Sequence, residues 1–475
     1  MRIGLVSGDG LPVSGLLTVF RNVLNLGVEM GIVRSSVPAD LGFSWRPDKP
    51  GYFPDGRNKI HTPNWIDLVQ PYIFPDSEQL PIALAQIRRG VAQFDSTTSA
   101  EKAKLRASIA SLTAMYYTQF ERWLSAIAVD WVFAINMTVP DAVPATAALH
   151  AAAERYFTKK QSGGVVFWDH DLFGSYAVRD RDSGVRMYPC EPNELTPLPK
   201  ANRYTRWIVV SPELAKEASG YPTNLAPTVV PNVLPNFRDV SLGTRHREFI
   251  SQHGFEDSRS ILLNPVRVFH TKGVELSVRL LAEMKEIAKL GLTRCPYLLV
   301  FGSLDEEPQY AREVVSLADK LGVSDDIIFL NGVPLTSNRS SGGWWQFDES
   351  DLMLIAASTC GGIVFTPNVP DVESVGLGPG LASLAELPFL VTHYDAFNSV
   401  YESSIACTHM DPTSAGITAA AAEFLGIIDR FKSNDPELRH LFRKNRSLVE
   451  QRFPDDGWRR LWYQLSQSVG DHTSP

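Results

Sequence analysis

The second half of the chain alternates short apolar runs with helical stretches, and this alternation constrains the fold more than any other feature. Runs at 260–266, 297–301, 327–330, 362–365 and 389–392 are separated by segments of helical periodicity. Short apolar strands joined by helices predict a parallel, doubly wound sheet, because right-handed crossovers place helices on both of its faces. The first half opens in the same way. Ile3–Ser7 is an apolar run, Gly8 to Gly15 a turn-rich loop, and Leu16, Val19, Phe20, Val23 and Leu24 then recur at helical spacing. Further strands are predicted at 131–135, 165–168 and 207–210, and helices over 100–127 and 142–156. Another helix follows Ser211, with Pro212 at its first position. Residues 38–76 read as long structured loops, and the Pro-rich segment 189–199 as a mobile flap. At 475 residues the chain exceeds what one core organises. The extended, then polar stretch after Thr228 sets a boundary, giving domains 1–235 and 236–455.

Composition narrows the function. With 44% apolar residues the chain is globular, and a net charge of -8 argues against a nucleic-acid groove, which needs a basic face. An anionic ligand would rest on a few local cations and on helix N-termini. Cys190, Cys295, Cys360 and Cys407 are scattered, which fits reduced structural thiols and no zinc site. No apolar run approaches the roughly 20 residues needed to span a bilayer, and the start of the chain reads as a strand, not a signal peptide. A cytoplasmic protein is expected, with no membrane or nucleic-acid partner and with homo-oligomers allowed.

Two segments carry the chemistry. Asn264 to Gly273 (NPVRVFHTKG) places two cations, Arg267 and Lys272, five residues apart between a strand end and a helix start. Cations leaving the C-terminal end of a strand point into the crevice where α/β proteins bind ligands, and two of them suit a diphosphate. Thr366 to Pro388 follows a strand, presents Glu373, and opens a helix among small residues. Taken singly, each also fits a solvated loop cation or a carboxylate beside a helix start.

Together these segments resemble the C-terminal half of retaining GT-B glycosyltransferases of family 4, over about residues 228–465. Arg267, Lys272, Glu373, Ser374, Gly376, Leu377 and the pair Leu387-Pro388 match the family pattern in residue and order. Residues 327–333, ending at Val333, resemble the strand and turn beside the nucleotide base. Asn445 to Trp458 resembles closing helices that return to the first domain, here over 456–470. The resemblance implies two Rossmann-like doubly wound domains facing a central cleft. It implies a nucleoside-diphosphate sugar, GDP- or UDP-linked, as co-substrate, with no other cofactor, no metal and retention of anomeric configuration. Arg267 and Lys272 would meet the diphosphate, with Ser14, Gly15 and the main chain from Ser374 through Val375 and Gly376 to Leu377. Glu373 and His170 would orient the sugar. One position departs: the family carries a second Glu eight residues after the first, where this chain has Leu381, expected to face the ribose.

The first half matches more loosely, through Ser14-Gly15, Asn136, and Trp168-Asp169-His170-Asp171, which resemble members acting on small acceptors. The acceptor is expected near Trp45, Trp65, Tyr72 and Asn136, the aromatics stacking on it or else packing in the core. The acceptor class expected is a small molecule of antibiotic or other secondary-metabolite biosynthesis, a thiol such as ergothioneine being one case. Two alternatives stand beside this reading. A catalytically altered GT-B protein would serve as a binding or scaffold partner, as Leu381 suggests. A metal-dependent GT-A transferase would use an Asp-x-Asp pair, present at 169–171 and 180–182. A nicotinamide-dependent dehydrogenase is disfavoured, because Gly8, Gly10 and Gly15 lack the Gly-x-Gly-x-x-Gly spacing.

Overall fold

The structure, a computed structural model, describes residues 1–11, 15–42, 45, 61–69, 79–138, 143–173, 186, 189, 191–235, 237, 241–291, 294–371 and 373–470. The chain divides into two compact units, Met1–Val233 with Asp455–Pro475, and Leu234–Pro454.

The first unit is built on seven parallel strands: β1 (Ile3–Ser7), β2 (Val37–Asp40), β3 (Ile66–Leu68), β4 (Trp131–Ile135), β5 (Gly164–Asp169), β6 (Thr205–Val209) and β7 (Thr228–Val229). Their order is β3-β2-β1-β4-β5-β6-β7. The strand order therefore reverses between β1 and β4, and the ends of these two strands border the crevice where such sheets take ligands. The short strands β2 and β3 fall where the sequence suggested loops. Val-Pro-Ala-Asp and Ile-Asp-Leu are too brief to carry a period, and only the pairing of β2 with β1 and of β3 with β2 makes them strands.

The core of this unit closes with the far end of the chain. In the helix Asp456–Gly470, Trp458 and Trp462 are fully buried. Trp458 Nε1 donates to Pro231 O at 2.9 Å and Trp462 Nε1 to Val23 O at 3.2 Å. Both rings pack on Phe133 of β4. Each indole thus buries a large apolar ring while its one donor is satisfied, the usual condition for a stable buried Trp.

The second unit has six parallel strands: β8 (Ile261–Asn264), β9 (Tyr297–Val300), β10 (Ile327–Phe329), β13 (Gly362–Phe365), β14 (Phe389–Thr392) and β15 (Thr408–Met410). The order is β10-β9-β8-β13-β14-β15, so the reversal falls between β8 and β13. A small antiparallel hairpin, β11 (Asn338–Arg339) and β12 (Trp345–Gln346), stands within the stretch the sequence suggested as a Ser/Gly loop. Five of the six sheet strands lie where the apolar runs predicted them. β15 was not predicted, because Thr-His-Met has no apolar run.

Asp40, the last residue of β2, is 1% exposed. It accepts from Gly42 N at 3.2 Å and from Gln119 Nε2 at 2.9 Å, yet burial still pushes its carboxyl up to about 7. The sign follows directly. Unfolded, the group ionises near 3.8; folded, it keeps its proton to about 7. Its contribution to stability is whole below the lower value and is lost as pH rises through the higher one. We therefore expect Asp40→Asn to gain on the parent in melting temperature as pH rises from about 5 to about 8. A difference that is flat with pH would refute the assignment.

Candidate functional site

The loops that leave β8 and β13 lie side by side because of a dense set of hydrogen bonds. Thr366 Oγ1 donates to Gly273 O at 3.0 Å and meets Ser277 Oγ at 2.7 Å. Asn368 Nδ2 reaches both His270 O and Glu275 Oε1 at 2.7 Å. Gly273 permits the approach: its φ is +62°, and a Cβ there would stand 1.9 Å from Thr366 O. No other residue type fits.

On this frame Lys272, in the turn His270–Lys272, donates through Nζ to Glu373 Oε1 at 2.5 Å. Both side chains are mostly buried, at 22% and 11% exposure. Arg267 pairs with Glu306, from the loop after β9, and keeps 38% of its side chain exposed. The neighbouring Glu307 accepts from His270 N at 2.7 Å and lies 3.0 Å from the ring Nδ1. Sequence reasoning does not single out Glu306 and Glu307, since Glu-Glu-Pro before a helix looks like an ordinary acidic start. Only the sheet order, which puts β9 beside β8, brings them to Arg267 and His270.

Downstream, Gly376 takes φ +67° before the helix Leu377–Leu384, which has no side-chain cap and no acid in its first turn. Tyr394 and Tyr401 fasten that entry, their hydroxyls donating to Val375 O at 3.0 Å and Gly376 O at 2.6 Å. An uncapped N-terminus with nearby cations suits an anion. Ser374 is half-buried there and Val375 is buried. Val333 turns its side chain into the core, so only its main chain is available to a ligand.

Leu381 requires a correction. It is 2% exposed within the apolar core of the second unit and does not present itself to a ribose. Glu386 cannot stand in, because it is paired with Arg446 at 3.2 Å.

In the first unit, Asn136 follows β4 with φ +51°. Its side chain accepts from His170 N at 2.7 Å and donates to Asp171 Oδ2 at 3.1 Å. His170 is 6% exposed, and its Nε2 has no hydrogen-bond partner among the described residues. Burial pushes the imidazole down to about 3, against the opposing pull of the Asp9 carboxylate, so the ring is neutral at ordinary pH. Asp9 follows β1, so Asp9, Asn136, His170 and Asp171 gather near the strand-order reversal of this sheet. Asp169 faces elsewhere: Trp207 Nε1 donates to it at 2.7 Å, and burial raises its carboxyl to about 7. Its carboxylate is thus engaged in the core, apart from the one that binds Asn136.

Gly15 begins the helix Gly15–Glu29, and a Cβ there would meet nothing within 4 Å, so space alone does not demand glycine. Ser14, Tyr72 and the pair Asp180/Asp182 lie outside the described residues. Trp45 is a second correction. At 1% exposure it packs on Phe120 and offers no face to an acceptor. Trp65 is half-buried beside Phe20. The supposed flap is anchored over its described part: Asn193 Nδ2 donates to Val91 O at 2.9 Å, Glu194 pairs with Arg106, and Thr223 bonds Pro199 O.

Two parallel-sheet α/β units, each with its strand order reversed at the centre, define the GT-B class of fold, and the GT-A alternative falls with that finding. Among solved structures the chain is similar to WaaG, a glycosyltransferase involved in lipopolysaccharide biosynthesis, at 15% identity over 99% of this chain and 100% of that one, with TM-score 0.52. It is similar to sucrose-phosphate synthase from Thermosynechococcus elongatus at 13% identity, covering 99% of both chains, with TM-score 0.56. It is also similar to Anabaena HepE in complex with UDP and glucose, at 13% identity over 99% and 100% of the two chains, with TM-score 0.55. No protein-family model and no curated protein matches the sequence.

The buried site of Leu381 yields a test. A carboxylate placed there has no partner in an apolar core, so Leu381→Glu should lose several kcal/mol of stability. Thermal melting measures this. A variant as stable as the parent would mean that the side chain reaches solvent.

Proposed function

We propose that this chain is a glycosyltransferase that moves a sugar from a nucleoside-diphosphate sugar to a small-molecule acceptor, with retention of anomeric configuration. The observation that carries the reading is the position of Arg267, Lys272 and Glu373. All three follow β8 or β13, the strands between which the second sheet reverses its order, and the Lys272–Glu373 contact joins the two loops. In open parallel sheets this is where ligands bind. Glycosyltransferases of the same fold, one of them solved with UDP and glucose, support it by analogy.

In this reading the diphosphate rests against Arg267, Lys272 and the main chain entering the helix Leu377–Leu384. The anomeric carbon loses its bond to the diphosphate oxygen while the acceptor attacks from the same face, and the acceptor's proton passes to the departing phosphate. Fixed cations stabilise the charge that grows on the leaving oxygen, and because they are already in place they need little reorganisation. Glu373 accepts from sugar hydroxyls once Lys272 turns to phosphate. The neutral His170 offers a ring nitrogen for a hydroxyl of the transferred sugar. Side chains and a helix terminus meet the phosphate charge, so the reading requires no metal. The acceptor class, a thiol of antibiotic biosynthesis included, and the choice of GDP or UDP follow the sequence resemblance, and a cytoplasmic setting follows the scattered cysteines. No described helix is long and apolar enough to cross a membrane.

Two measurements test the reading. UDP or GDP should raise the melting temperature of the protein, because a ligand that binds only the folded state stabilises it. No response to any nucleoside diphosphate would favour the non-catalytic binding role. Lys272→Gln can still hydrogen-bond Glu373, so it should fold like the parent while turnover falls by at least about tenfold, with or without EDTA. Undiminished turnover would remove Lys272 from the site, and loss of activity in EDTA that Mn²⁺ restores would overturn metal independence.

A further inference from the structure

Around the loop 265–273 the structure sets two cations, Arg267 and Lys272, among four carboxylates: Glu275, Glu306, Glu307 and Glu373. Glu306 is the one that touches Arg267. Its side chain is 5% exposed, whereas Arg267 keeps 38%. The guanidinium is therefore paired with a buried carboxylate while more than a third of the Arg267 side chain stays exposed.

We propose that Glu306 is an internal counter-ion to Arg267 that weakens the grip of the site on a nucleoside diphosphate and so sets how readily that product leaves. The inference rests on the donor-site reading above. A carboxylate and a phosphate bind a guanidinium through the same planar donors, so each takes the place of the other. Glu306 sits on anchored backbone, because Glu-Glu-Pro leads straight into the helix Pro308–Leu321 and Glu307 is fastened to His270. A diphosphate that reaches Arg267 must then share the cation with a buried negative charge only a few ångströms away. A site without that charge would bind the product more tightly and release it more slowly. Glu306 is on this account a positioning residue that tunes affinity and takes no part in bond making.

The test is calorimetric titration of UDP and GDP into the parent, Glu306→Asp and Glu306→Gln. Gln keeps an acceptor for Arg267 and drops the charge, so it should bind the diphosphate at least about tenfold more tightly, while Asp stays near the parent. Affinity that is unchanged or weaker in a folded Glu306→Gln protein, with the parent binding normally, overturns the counter-ion role and leaves the donor site standing. Should that variant fail to fold, Arg267→Gln is compared with the Arg267→Gln, Glu306→Gln pair, which leaves no unmatched charge. The double variant should bind more tightly, and equal affinities overturn the proposal. If no protein in the series, parent included, binds either diphosphate, the donor-site reading itself falls, and the inference with it.

Discussion

The close approach of Gly273 to the carbonyl of Thr366 holds the candidate site together. Two strands that are neighbours in the sheet but far apart in the sequence must send their loops to one place, and backbone can meet backbone only where no Cβ intervenes. Thr366 and Asn368 then supply the bonds that fix the distance. Lys272 reaches Glu373 across this seam, while Tyr394 and Tyr401 hold the uncapped start of the helix Leu377–Leu384 beyond it. Both units reverse their strand order at the centre of the sheet, and among the described residues only the second gathers paired cations there.

Each cation in that region is matched by a carboxylate, and the matching bears on what it can bind. A bare pair of cations would hold any polyanion, inorganic phosphate included. Cations already matched by carboxylates give up their partners only to a ligand that returns several contacts at once. A nucleoside-diphosphate sugar offers phosphate oxygens, sugar hydroxyls and a base together. Selectivity of this kind comes from the cost of unmaking internal pairs, and costs little in the free protein because the pairs are satisfied.

Much of this was legible in the sequence, and the failures have physical causes. Apolar runs bounded by turns announced β8, β9, β10, β13 and β14, since a strand buried on both faces has no choice but to be apolar. β2, β3 and β15 lacked that signature, because Pro or polar residues interrupt Val-Pro-Ala-Asp, Ile-Asp-Leu and Thr-His-Met, and they exist through pairing alone. The Arg267, Lys272 and Glu373 segments were readable because loops at strand ends keep fixed spacing. Glu306 was not, because its role depends on which strand lies beside β8, and order within a sheet is not written along the chain. Trp45 was misjudged because a large apolar ring looks the same in a core and in a binding surface, and only burial separates them. Leu381 was set toward the ribose by its place in the family pattern, and its burial in the core overrides that placement.

The return of the last helix to the first unit also governs how the protein can be made. Trp458 and Trp462 complete a core whose other walls are Phe133 and the helix Gly15–Glu29, hundreds of residues earlier. A ribosome therefore finishes the second unit, Leu234–Pro454, before the first can close. During synthesis the leading unit waits with an apolar face open, so chaperones have longer to act on it than on the unit that emerges later. The first unit's maturation is in this way tied to translation of the final helix.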